Sequence, residues 1–179
     1  MPEPAADDVV IVGAGWERID DLQTLWESLH RHHTATAPQL QTIGRERLPS
    51  ESWRVRREHY RRLLAEPDAF VLIAESGGLP VGYALVHVRG SEETWDTGPV
   101  AELETLAVLE GHRGQAIGRR LVEAVFDQLR AIGVTKWSVA VIASNTDAIR
   151  FYERLPVQPF LVTYIGTVPE AGDARARGD

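Results

Sequence analysis

Glu102-Leu103-Glu104-Thr105-Leu106-Ala107-Val108-Leu109-Glu110-Gly111-His112-Arg113-Gly114-Gln115-Ala116-Ile117-Gly118-Arg119 is the stretch on which the fold turns. Its first half completes an apolar run over residues 100–108 that reads as a strand, with Glu102, Glu104, Leu106 and Val108 sharing one face. Its second half is punctuated by glycine and opens a helical pattern. Ile117, Leu121, Val122, Val125 and Leu129 recur at helical spacing and Gly133 follows as a stop, which predicts a helix over residues 115–131. A helix start offers several unpaired backbone N–H groups and the positive end of the helix dipole, so a small-residue turn here can cradle a pyrophosphate. Arg113, Arg119 and Arg120 add positive charge where an anion would sit. The plain alternative is a glycine-punctuated turn before an amphipathic helix, and the spacing alone leaves both readings open.

On the N-terminal side, Val9, Val10, Ile11 and Val12 form a short buried strand within residues 8–15, and a first helix is expected over residues 17–33 from Ile19, Leu22, Leu25, Trp26 and Leu29. Residues 34–49 read as a loop of roughly sixteen residues, unusually long for a compact domain and therefore a candidate binding segment. A second helix is expected over residues 50–65. Residues 69–75 and 80–89 read as a hairpin around Ser76-Gly77-Gly78-Leu79, followed by an acidic loop over residues 90–98. Downstream of the quoted stretch the pattern predicts a strand over residues 135–142, a helix over 145–155, a strand over 158–165 and a frayed tail over 169–179.

The chain has 179 residues, enough for one domain with a substantial core and too few for two large ones. It is 44% hydrophobic and 25% charged, which excludes collagen-like, disordered and coiled-coil architectures as the main design. Without cysteine there is no thiol nucleophile, disulfide or thiolate metal site. The formal charge of −7 disfavours nucleic-acid binding on a basic surface. No apolar run is long enough to cross a membrane and the acidic start does not resemble a signal peptide, so a cytoplasmic location is expected.

Two other clusters invite chemistry. Gly13-Ala14-Gly15-Trp16-Glu17-Arg18 follows a strand as a dinucleotide-binding turn does, but Arg18 stands where a third small residue is needed, and a strand ending in a turn is the better reading. His30 and His33 share a helix face while His32 points away, and no partner follows at a ligand spacing, so no metal is assigned.

Residues 102–130, and again 145–157, resemble the GCN5-related N-acetyltransferase (GNAT) family. The family's loop follows Arg/Gln-x-x-Gly-x-Gly/Ala, and Arg113, Ala116 and Gly118 occupy the patterned positions. Its second block is an Asn, an Ala three residues on and an aromatic pair, matched by Asn145, Ala148, Phe151 and Tyr152. The resemblance implies an α/β acyl-CoA N-acyltransferase fold over residues 1–168, with a mixed, mostly antiparallel sheet flanked by helices on both faces. Ala116 replaces the first glycine, at a cost of about 1 kcal/mol if that position needs a positive φ. Pro156-Val157 stands where the family usually has Gly-Phe, so the last helix must end differently and the last strand be repositioned.

The activity so implied is transfer of acetyl from acetyl-CoA, as cosubstrate, to a primary amine of a small molecule or protein, by direct attack in a ternary complex. The rival within the same fold is a non-catalytic acyl-CoA-binding module. By the same resemblance, the strand ending at Val108 splays from the strand over 135–142. Pantetheine then pairs with backbone near Leu106, Ala107 and Val108, and the pyrophosphate rests on Arg113, Gly114, Gln115, Ala116, Ile117, Gly118 and Arg119. Tyr152 is the candidate general acid, against a plain core tyrosine, and Glu104 or Glu102 the candidate base, with Glu104 nearer the expected carbonyl. Asn145 either bonds the cosubstrate or caps a helix. The first two helices would line the acceptor pocket, and the acidic loop with Glu92, Glu93, Trp95 and Asp96 would attract a cationic amine or simply be solvated. A homodimer through the last strand is a further expectation from the family.

Overall fold

The computed structural model describes residues 8–168. Five strands, β1 (Val9–Ala14), β2 (Phe70–Ser76), β3 (Leu79–Arg89), β4 (Val100–Val108) and β5 (Lys136–Ser138), form one sheet in the order β1-β2-β3-β4-β5. The first three pairings are antiparallel and β4–β5 is parallel. Four helices accompany them: α1 (Gln23–Thr36), α2 (Pro49–Leu63), α3 (Ile117–Ala131) and α4 (Thr146–Tyr152).

The alternation of side chains along the strands divides the core into two layers. On one face, Leu25 and Trp26 of α1 and Trp53, Tyr60 and Leu63 of α2 pack on Val71, Ile73, Tyr83, Leu85 and Ala107. On the other, Ile117, Leu121, Val122, Val125 and Leu129 of α3 pack on Ala74, Ala84, Val86, Ala101 and Leu103. Each of the five α3 side chains removed from water contributes about 1.5–3 kcal/mol. Pro49 occupies the first position of α2, where its missing N–H costs nothing, and Glu51 accepts from the Leu48 amide at 3.2 Å.

β4 holds the irregularity that matters. Leu85 pairs with Thr105 but Val86 pairs with Leu103, so Glu104 is an extra residue bulged out of the ladder. Before the bulge, Ala101 and Leu103 face α3; after it, Ala107 faces α1 and α2, while Leu106 and Val108 pack on the α3 side. The expectation that Glu102, Glu104, Leu106 and Val108 share one face is therefore corrected, since a one-residue slip moves every later side chain to the opposite face. The bulge also bends β4 away from its parallel neighbour. Pairing with β5 stops at Glu102 and Ser138, which is why the strand expected over residues 135–142 is only three residues long.

Other boundaries shift for local reasons. A 3₁₀ segment over Trp16–Leu22 precedes α1, and another over Pro38–Thr42 breaks the expected loop. Pro156 stops the last helix early, at Tyr152, with a turn beyond. The expected strand over residues 158–165 is not formed. Pro159 has no amide to donate, and the three-residue β5 offers little edge. Phe160, Leu161, Val162, Tyr164, Ile165 and Val168 are exposed. The tail over residues 169–179 lies outside the described residues. No helix of the described chain is long and apolar enough to cross a membrane.

Candidate active site

Beyond Glu102 no strand among the described residues pairs with β4 on its β5 side, so on that side the backbone of Leu106, Ala107 and Val108 borders a gap in the sheet. The chain leaves this gap through Leu109 and a short 3₁₀ turn, then enters α3. Gly114 and Ala116 both take left-handed backbone conformations, with φ of 79° and 59°. These reversals turn the chain into the helix, whose first internal bond beyond the cap runs from the Arg120 amide to the Ala116 carbonyl at 3.0 Å. The preceding amides have no carbonyl inside the helix and face its N-terminal end, the arrangement that holds an anion. A Cβ at Gly118 would make ordinary contact with the Phe151 ring at 3.7 Å and Val108 at 3.9 Å.

The left-handed geometry at Ala116 carries the cost anticipated from the sequence. Ala116→Gly is expected to stabilise the protein by about 1 kcal/mol, a rise in Tm of roughly 2–4 °C. Thermal unfolding checks it, and an unchanged midpoint would mean that the alanine is unstrained.

The arginines of this loop have distinct duties. Arg113 donates from Nε to the Val108 carbonyl at 3.1 Å, tying the loop to the end of β4. Arg120 donates to the Val9 carbonyl at 2.6 Å, and Arg119 pairs with Glu123 at 2.8 Å on an exposed face. Asn145 accepts from the Ala148 amide at 3.2 Å through Oδ1, so it caps α4. Tyr152 stacks its edge against Phe151 at 5.1 Å between ring centroids and joins the apolar cluster that Leu106 and Val108 pack against. Burial pushes its phenol pKa above the ordinary tyrosine value, so it holds its proton at neutral pH.

On the opposite face, the bulge delivers Glu104 into a cluster of charged side chains. Its Oε1 receives a short bond from Arg56 and lies 3.1 Å from Nε2 of His59, both on α2. The Arg56 guanidinium lies 4.1 Å over the Trp26 ring, which fixes it in place. Glu102 pairs with Arg89 at 2.9 Å. His87, on β3, lies 3.8 Å from Glu102 and 4.0 Å from Glu104. The ligand atoms of His87, Glu102 and Glu104 lie within 4.8 Å of one another. Because each carboxylate already holds a guanidinium, the positive charge a cation would bring is supplied by Arg56 and Arg89.

Behind Glu104, the Tyr60 hydroxyl shares hydrogen bonds with those of Tyr83 at 2.9 Å and Thr105 at 2.6 Å. Burial holds the Tyr60 pKa up at about 12. This triad clamps the residue after the bulge to α2 and β3. Beside it, Trp26 donates to Ser52 at 3.1 Å, and Ser52 lines a cavity of about 360 Å³ with His30, His33, Ala37, Ile43 and Ile142. Burial, aided by repulsion from His32, Arg56 and His30, lowers the His33 pKa to about 4, so its imidazole is neutral at pH 7. The acidic loop lies apart as a self-bonded turn, with Ser91 accepting from the Thr97 amide at 3.0 Å and Trp95 exposed.

Sequence reasoning missed Arg56, His59 and His87. A signal was available for Arg56, which follows Trp53 by three residues and precedes Tyr60 by four, on the buried face of α2. His87 shares its strand face with Tyr83 and Leu85. The glycine turn at the end of β1 is closed to anions, because Glu17 accepts from the Gly15 amide at 3.0 Å and places a carboxylate there.

A model of the acetyltransferase (GNAT) family matches residues 26–155. Over 107 residues the chain is 34% identical to a mycothiol acetyltransferase of Thermobispora bispora, covering 58% of this chain and 35% of that protein. Over 82 residues it is 34% identical to a thialysine N-epsilon-acetyltransferase of Mus musculus, covering 46% of each. The matches thus span less than half the length of these curated relatives. Among solved structures, a variant of a Bacillus halodurans protein superposes with a TM-score of 0.73 at 20% identity, covering 89% of this chain and 99% of that one. The five-stranded sheet opening beyond Glu102 accords with a family match that runs from α1 through α4, and the chain belongs to the GNAT acetyltransferase family.

Proposed function

We propose that this chain is an acetyl-CoA-dependent N-acetyltransferase, organised as a single domain over residues 1–168, that acetylates a primary amine of a small molecule or protein in a ternary complex. The observation that carries the reading is that pairing of β4 with β5 ends at Glu102, just before the bulged Glu104, so the sheet is interrupted along the segment that runs on into the turn before α3. When bound there, acetyl-CoA supplies an activated acetyl thioester. Leu106, Ala107 and Val108 offer backbone groups to the pantetheine, and an amide among them stabilises the carbonyl oxygen as charge develops on it. The amides of residues 114–119 hold the pyrophosphate, with Arg119 beside them. Glu104 takes the proton of the attacking amine, with Glu102 beside it as the second carboxylate, and Tyr152 donates its phenol proton to the departing thiolate and regains one from solvent. Arg56 and His59 hold Glu104 in place. The cavity lined by His30 and His33 receives the rest of the acceptor.

Thermal unfolding with acetyl-CoA, and with NAD as control, tests the cosubstrate site. At 100 times the dissociation constant the protein should gain about 2.7 kcal/mol, a rise of roughly 5–10 °C, with acetyl-CoA alone. No shift at saturating acetyl-CoA overturns the proposal; a shift justifies screening primary amines by thiol release.

A further inference from the structure

Acetylating an ammonium group sets a proton free, and that proton has to leave a half-buried cleft. The two oxygens of Glu104 differ in standing. Oε1 is occupied by Arg56 and His59, whereas no hydrogen bond among the described residues falls on Oε2, which faces Nε2 of His87 at 4.0 Å. His87 is buried, with 9% exposure, and its two ring nitrogens look toward carboxylates on opposite sides. Nε2 faces Glu104 and Glu102, while Nδ1 lies 3.7 Å from Oε2 of Glu66, a residue just beyond α2 whose side chain is half exposed. Nδ1 is itself buried without a hydrogen-bond partner.

Resting on the acetyltransferase reading above, we propose that His87 relays the amine proton from Glu104 to Glu66 and so to solvent. The acceptor nitrogen gives its proton to Oε2 of Glu104. Glu104 passes it to Nε2 of His87 while Nδ1–H passes its own to Glu66, which releases it to water. Both carboxylates return to their starting state, and exchange with water, in which Nδ1 takes up a proton as Nε2 gives one up, restores the starting tautomer. A small rotation or one bridging water closes each gap of 3.7–4.0 Å. His59 cannot serve in this way, because it lies on Oε1 and a proton on Oε2 does not pass through the carboxyl group. Its role is to position Glu104.

Thiol release from acetyl-CoA, with a primary amine identified in the screen above, tests the relay in full-length protein. His87→Gln keeps a hydrogen-bonding side chain that cannot shuttle protons. It should lower kcat roughly tenfold or more and increase the solvent deuterium isotope effect. KM for acetyl-CoA should be unchanged, since Leu106 and Val108 pack on the other side of the sheet. Added imidazole should restore rate to His87→Gly. Glu66→Gln, at an exposed position that spares folding, should lower kcat in the same direction. Wild-type kcat in His87→Gln, or no rescue of a His87→Gly protein that still shows the acetyl-CoA shift in Tm, overturns the relay alone. An unaffected Glu66→Gln overturns the exit through Glu66. If wild-type protein releases no thiol with any amine, the acetyltransferase reading falls and the relay with it.

Discussion

Glu104→Gln is expected to lower kcat by a factor of about 10² to 10⁴ while leaving the acetyl-CoA-induced rise in Tm intact. The substitution keeps an oxygen for Arg56 and His59 but removes the charge that accepts the amine proton. Losing a charge-assisted bond to Arg56 should cost about 1–3 kcal/mol, which unfolding measures separately from rate. Glu102→Gln supplies the contrast. Its carboxylate is held by Arg89 at 2.9 Å and lies one residue pair before the bulge, so its effect on kcat should be smaller. If the two variants exchanged ranks, the base would be Glu102. Equal loss of rate and of the acetyl-CoA response would place Glu104 in cosubstrate binding instead.

The largest stability effect is expected at Tyr60. Tyr60→Ala removes a ring that is 0% exposed and sits edge-on to Trp26, Trp53 and Tyr83, at a cost of about 3–5 kcal/mol out of a typical total of about 5–15. Denaturant unfolding should show the lower midpoint directly. Tyr60→Phe isolates the hydroxyl: Thr105 and Tyr83 lose their shared partner, and a loss of about 1–3 kcal/mol is expected. Because Thr105 follows the bulged residue, the phenylalanine variant should also loosen Glu104. A fully stable Tyr60→Phe would mean that Thr105 and Tyr83 satisfy each other when the phenol is removed.

What the sequence made legible, and what it hid, follows from the range of the forces involved. β4 was predicted over its full length, and α3 to within two residues at its start, because hydrophobic period and a glycine stop are local signals. The bulge was hidden because it is a relation between Glu104 and a partner strand that lies about 20 residues away in sequence. That one omission produced two errors, Leu106 and Val108 assigned to the face of the glutamates and an overlong β5. The turn into α3, proposed above to hold the cosubstrate, was readable from Arg113, Ala116 and Gly118 because it is built within one short segment. The charged cluster around Glu104 was not, since Arg56, His59 and His87 come from two other elements and meet Glu104 only after folding. Residues 158–165 have strong strand propensity in Phe160, Val162, Tyr164 and Ile165, yet propensity alone makes no ladder without an adequate edge.

The bulge in β4 also makes the two halves of that strand separate units of variation. Upstream of Glu104, the α2-side Glu102 belongs to the charged cluster with His87 and Arg89; downstream, the side chains of Leu106 and Val108 pack on the α3 side and their backbone is proposed to meet the donor. Within the acetyltransferase reading proposed above, a substitution at Glu102 changes the α2-side cluster without rewriting the segment proposed to meet the acyl donor, whereas Val100, Ala101 and Leu103 are buried core and Glu104 is the proposed base. A one-residue deletion at Glu104 would restore regular alternation while leaving Leu103, Thr105, Leu106 and Val108 on their present faces, so it would remove the carboxylate without exchanging the two sides of the strand.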